Sequence, residues 1–111
     1  MNEENFAELI RQAGSEVAAA EQQLGLAEAR EKQTASQLMV VASAAHNCKT
    51  VAAQTTWADG TDEMFQVRLD KGRAKGALAA AKANLLAAEV QFKKWQTERA
   101  SERMERRVYN T

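Results

Sequence analysis

Proline is absent from the 111 residues, and histidine and cysteine occur once each. Without proline nothing in the chain firmly interrupts a helix. A single cysteine excludes an internal disulfide, and His46 with Cys48 cannot complete a metal site by themselves. Aromatic residues make up 5% of the chain, too little bulk for one compact core. No basic start leads into an apolar run, as a signal peptide would, and no apolar run approaches the about 20 residues that span a bilayer. A cytoplasmic chain without membrane contact is expected.

Alanine is abundant. It supplies much of the 45% hydrophobic content, and it favours helix while burying little area per residue. Stability must then come from many thin contacts along a long seam. Formal net charge is zero, but its distribution is uneven. Ten acids face four bases from Met1 to Glu63, and five acids face eleven bases from Met64 onward, about −6 against +6. Antiparallel pairing of the halves would set an acidic strip beside a basic one.

The periodicity supports such a pairing. Phe6, Ile10, Ala13, Val17, Ala20, Leu24, Ala27, Leu38, Val41, Ala45, Cys48 and Ala52 recur in steps of four and three, a heptad seam interrupted at Glu31 and Thr34. Asn5 and Glu8 have capping-box spacing, and Gly14-Ser15 is the expected weak point. The rhythm restarts with Phe65, Leu69, Gly72, Gly76, Ala79, Ala83, Leu86 and Val90, continuing through Lys93, Thr97, Ala100 and Met104. Thr61 is the expected N-cap, with Asp62 and Glu63 suiting the helix dipole. We therefore expect an all-α, coiled-coil-like antiparallel hairpin as a single domain over 1–111. Helix 1 would run over about residues 5–57, the turn over 58–61 and helix 2 over 62–107.

In that hairpin "ADGT" is the turn, with Asp59 and Gly60 supplying backbone freedom. Facing residues would have numbers summing to 120 or 121. Leu69 would then meet Ala52, Gly72 would meet Cys48, Gly76 would meet Ala45 and Met104 would meet Val17. Val90 would lie opposite Glu31, and Lys93 would neutralise that acid. Trp57 either packs on Phe65 or Met64 at the hairpin's end or stands as an exposed anchor for a partner.

The second helix has another stripe. Leu78, Ala81, Leu85, Ala88, Phe92 and Trp95 form their own three-four series, at positions that place them behind the expected seam. One neighbouring helix cannot cover both sides. Self-association of two hairpins into a four-helix-bundle dimer is the economical solution, and a different protein partner is the rival.

Chemistry is sparse. Carboxylate pairs such as Glu3-Glu4 and Asp62-Glu63 sit at helix starts, where capping explains them, and the Gly72–Gly76 spacing suits close helix packing rather than a phosphate loop. No enzyme activity, cofactor or metal is expected. The C-terminal run carries Arg99, Arg103, Arg106 and Arg107 with Trp95 and Tyr109 interleaved. Such a run can form a basic docking surface or grip a nucleic-acid backbone, although Glu98, Glu102 and Glu105 dilute its field.

The segment "WADGTDEMF" is similar to the turn region of the tryptophan-x-glycine family of small secreted hairpin proteins. Trp57 stands at the turn, glycine follows at the third position instead of the second, and Glu63 and Phe65 open the next helix. The resemblance covers nine residues and implies a secreted helical hairpin; no tyrosine-to-acid export motif follows Tyr109.

Together these features favour a non-enzymatic protein-interaction module, a small dimerising hairpin acting as adaptor, assembly chaperone or inhibitor of the type mobile elements encode. Its expected partner-binding residues are Trp57, Leu78, Leu85, Phe92, Trp95, Arg99, Arg103, Arg106 and Arg107. The alternatives are a nucleic-acid-binding accessory protein using the basic second helix and a secreted hairpin of the family named above.

Overall fold

The computed structural model describes residues 2–109; Met1, Asn110 and Thr111 of the expected 1–111 domain lie outside them. The described elements are all α-helices: α1 (Glu3–Ala45), α2 (Val51–Asp59) and α3 (Asp62–Tyr109). They gather into two compact units. One joins the start of α1, as far as Ala18, to α3 from Ala79 onward; the other comprises Ala19–Leu78.

The first helix begins earlier than its spacing suggested. The Asn2 side-chain oxygen accepts the Asn5 backbone N–H at 3.0 Å, so Asn2 is the cap, and Glu8 pairs instead with Arg11 at 2.9 Å. Gly14-Ser15 does not break the helix, which runs through both Gly14 and Gly25. Strong helix formers on either side outweigh the roughly 1 kcal/mol that an interior glycine costs.

The first helix also ends earlier, at Ala45 instead of residue 57. Asn47 adopts the left-handed conformation, with φ of 55°. The His46 N–H makes an ordinary helical bond to the Ala42 carbonyl, and the turn at Asn47 brings the Cys48 N–H to the same oxygen, each at 3.1 Å, closing the helix C-terminus. Three residues on, the Thr50 hydroxyl accepts the Ala53 N–H at 3.1 Å and opens α2. Gln54 donates to the Cys48 carbonyl at 3.1 Å, and the His46 ring stacks on Trp57 with centroids 4.4 Å apart. The chain therefore reverses at "HNCKT".

"ADGT" is instead a helical junction. Gly60 is right-handed, with φ of −82°, and its N–H donates to the Thr56 and Trp57 carbonyls. Thr61 caps α3 as expected, accepting the Met64 N–H at 3.2 Å while its hydroxyl donates to the Ala58 carbonyl at 2.7 Å. An ion pair between Arg68 and Asp59 at 2.6 Å spans the joint.

This relocation changes the register. In the Ala19–Leu78 unit, Leu38, Ala58 and Met64 form the buried cluster, with Ala35, Met39, Trp57 and Val67 packed around it. Lys71 reaches Glu31, donating to Oε1 at 3.1 Å with Nζ also 3.0 Å from Oε2. The pairs Leu38 with Met64 and Glu31 with Lys71 each sum to 102, not 120 or 121. The expected facings of Leu69, Gly72 and Gly76 with Ala52, Cys48 and Ala45 are accordingly replaced, and the neutralising base for Glu31 is Lys71 rather than Lys93. In the other unit Phe6 contacts Phe92 and Trp95, at 5.6 and 5.4 Å between centroids. The α1 seam follows expectation from Phe6 through Leu38, then moves to the fully covered Ala42 while Val41 stays exposed.

On α3 the covered stripe is the other one. Met64, Val67, Lys71, Ala74 and Leu78 are buried or half-buried in one unit, and Ala81, Leu85, Ala88, Phe92 and Trp95 in the other. Of the expected seam only Leu69 is half-buried; Phe65, Gly72 and Gly76, and likewise Ala79, Ala83, Leu86 and Val90, are exposed. The assignment of the two stripes is thus inverted, for an energetic reason. A fully buried aromatic removes about 150–250 Å² from water at about 25 cal/mol per Å², and even half-buried Phe92 and Trp95 with the leucines cover more area than a stripe built largely of glycine and alanine.

The geometry at the two candidate turns makes opposite predictions. Asn47→Val should lower stability in urea unfolding by about 1–2 kcal/mol, because a β-branched residue resists positive φ. Gly60→Ala should be neutral or slightly stabilising, since an added Cβ would meet nothing closer than 3.6 Å.

Candidate interaction surface

The residues expected to bind a partner fall into three environments. Trp57 is half-buried on α2, stacked on His46 and packed against the Leu38–Ala58–Met64 cluster, while Phe65, its other expected contact, is 59% exposed. Leu78, Leu85, Phe92 and Trp95 lie on the covered side of α3. Phe6, only 6% exposed, packs against both Phe92 and Trp95, whose own rings are 6.1 Å apart, so the three form a triangle. Phe92 and Trp95 are therefore half-covered within their own unit, because α1 supplies Phe6 directly against them.

The arginines lie beyond that core. The Arg99 guanidinium lies 5.5 Å from the centroid of the Trp95 ring and covers its outer side, a cation–π contact. Arg103 shares a shallow groove with Glu3, Trp95 and Arg99, so an acid from α1 enters the basic field. Arg106 and Arg107 are exposed on the last turn of α3, where they complement the helix dipole. Trp95, which a base-stacking role would require at the surface, is engaged with Phe6 and Arg99.

Large hydrophobics are exposed at several places, among them Val40, Val51, Phe65 and Met104, and an uncovered apolar series runs along the outer face of α3. Within the unit that begins at Ala79, its centre is Ala79, Ala83, Leu86 and Val90, with Leu86 62% and Val90 56% exposed. Helical phase places this stripe nearly opposite the Phe92–Trp95 side. Lys82 and Glu89 border it on one edge, and Ala80 and Ala87 on the other. Lys93, the next position in the series, ends the apolar run. Sequence spacing had located this stripe correctly but assigned it to the intramolecular seam; the missing signal was side-chain bulk, which differs sharply between the two series.

Polar groups elsewhere converge little. Cys48 is half-buried with its thiol 3.6 Å from the His46 carbonyl, and His46 is occupied by Trp57. Among the described residues no three histidine, cysteine or acidic side chains are grouped to hold a metal ion, and no helix is long and apolar enough to cross a membrane.

Substitutions should separate the two faces. Phe92→Glu or Trp95→Glu should lower the melting temperature and loosen the unit around Phe6, at a cost of about 3 kcal/mol or more. Leu86→Glu and Val90→Glu should leave helicity and melting of the isolated chain nearly unchanged, as circular dichroism would show. Compared with family models, with curated proteins and with solved structures, the chain matches none.

Proposed function

We propose that this chain is a non-enzymatic protein-interaction module that binds through the outer face of α3, serving as an adaptor, assembly chaperone or inhibitor. The observation that carries this reading is the exposed Leu86 and Val90 in register with Ala79 and Ala83, on the side of α3 away from Phe6. Helix-in-groove and helix-on-helix recognition both use anchors at such three-four spacing. A contiguous apolar stripe of this kind, edged by charge, marks an interaction surface more often than a solvated one. Leu78, Leu85, Phe92 and Trp95 serve the module indirectly, by holding α3 against α1.

A photo-crosslinking amino acid tests the reading. Placed at position 86 in cells of the source, it should give a discrete protein adduct, whether to another chain or to a second copy; placed at position 92, it should react within the chain. Absence of any protein adduct from position 86, with the chain folded and expressed, would refute the proposal.

A further inference from the structure

The outer stripe is self-complementary. Ala79, Ala83, Leu86 and Val90 follow one another by four, three and four residues, so they occupy core positions of a short heptad series. If two copies lay their α3 helices together antiparallel about a two-fold axis between Ala83 and Leu86, Ala79 of each faces Val90 of the other. Ala83 likewise faces Leu86. Every one of the four layers then sets a large side chain against a small one.

Charge selects the same arrangement. Lys82 and Glu89 lie seven residues apart on one edge of the stripe, both exposed and in none of the ion pairs formed among the described residues, which are Glu8–Arg11, Asp59–Arg68 and Glu31–Lys71. The two-fold brings Lys82 of each copy beside Glu89 of the other, twice over. On the opposite edge Ala80 faces Ala87, which allows close approach. A parallel pairing would place Ala79 on Ala79 and Ala83 on Ala83, leaving two layers hollow, and would leave the lysine–glutamate complement unused.

From this geometry we infer that the outer face of α3 binds a second copy of the same chain, in an antiparallel α3–α3 contact centred between Ala83 and Leu86. The inference rests on the proposal that this face is a binding surface, and it specifies the occupant. The α1 segment of each unit stands on the far side of its own α3, so the joint is made by α3 alone. Four layers fall short of the about 1,200 Å² or more of a standard interface, and the dimer is therefore reversible and concentration-dependent.

Sedimentation equilibrium of the full chain under reducing conditions tests this. The mass should pass from one copy toward two as concentration rises, and Leu86→Glu with Val90→Glu should abolish the rise without loss of helicity. Lys82→Glu, which sets like charges together twice, should weaken association about tenfold at low salt. Adding Glu89→Lys to Lys82→Glu should restore it. A single-copy mass at every concentration, a dimer indifferent to Leu86→Glu, or a double charge exchange no better than the single one would each overturn the inference. Crosslinking separates its failure from that of the broader proposal. A monomeric chain whose position 86 captures a different protein loses only the self-pairing, whereas a chain with no adduct loses both.

Discussion

Helix α1 has one apolar seam and α3 has two, so only one face of α3 can be covered from within the chain. The competition is decided by bulk. Phe92 and Trp95 pack on Phe6, so three aromatic rings gather on the covered side of α3 while the alanine-rich stripe stays outside. An interior that closes this way keeps the larger hydrophobic gain within the unit and leaves Leu86 and Val90 exposed on the outer face.

Which residues can meet is set by where the chain turns, and the turn is set by one backbone angle. Asn47 at φ of 55° ends α1, and Thr50 restarts the chain as α2, so the return begins at residue 51. Trp57 then lies on His46, Met64 on Leu38 and Lys71 on Glu31. The last pair shows how strongly the register is specified. Glu31 interrupts an apolar seam at less than a quarter side-chain exposure, where an unmatched carboxylate would be costly, and Lys71 is the base that the antiparallel return delivers to it.

Much of this was legible from spacing. The all-helical character, the α1 seam from Phe6 to Leu38 and the Thr61 cap follow from periodicity and capping chemistry. The reversal was misplaced because Asp59 and Gly60 are the commonest turn residues, whereas Gly60 lies within a right-handed helical joint. The usable signal was in "HNCKT": asparagine is the residue after glycine best suited to a left-handed helix end, and a threonine three positions later is an N-cap. The inversion of the α3 stripes was harder to read, since both obey the same three-four rule. Only a comparison of side-chain volume across the two series distinguishes them. The resemblance of "WADGTDEMF" to a hairpin turn fails at the same point, because in this fold the segment carries one helix into the next.

The thinness of the seams has a consequence for any complex the chain enters. Burying Leu86 and Val90 from both members of a symmetric pair would yield at most on the order of 6–12 kcal/mol at about 1.5–3 kcal/mol per side chain, while association costs about 4–15 kcal/mol in lost rigid-body freedom, with side-chain ordering in addition. The two ranges overlap, so the proposed pairing would be tuned by small changes: one added charge at its centre would tip it toward separation, and one larger residue at Ala79 or Ala83 toward lasting union. The core on the opposite side of the same helix is insensitive to that tuning, because Phe6, Phe92 and Trp95 already fill it. A helix whose inner face is packed and whose outer face is apolar but uncovered would separate folding from association, as the proposed interaction module needs.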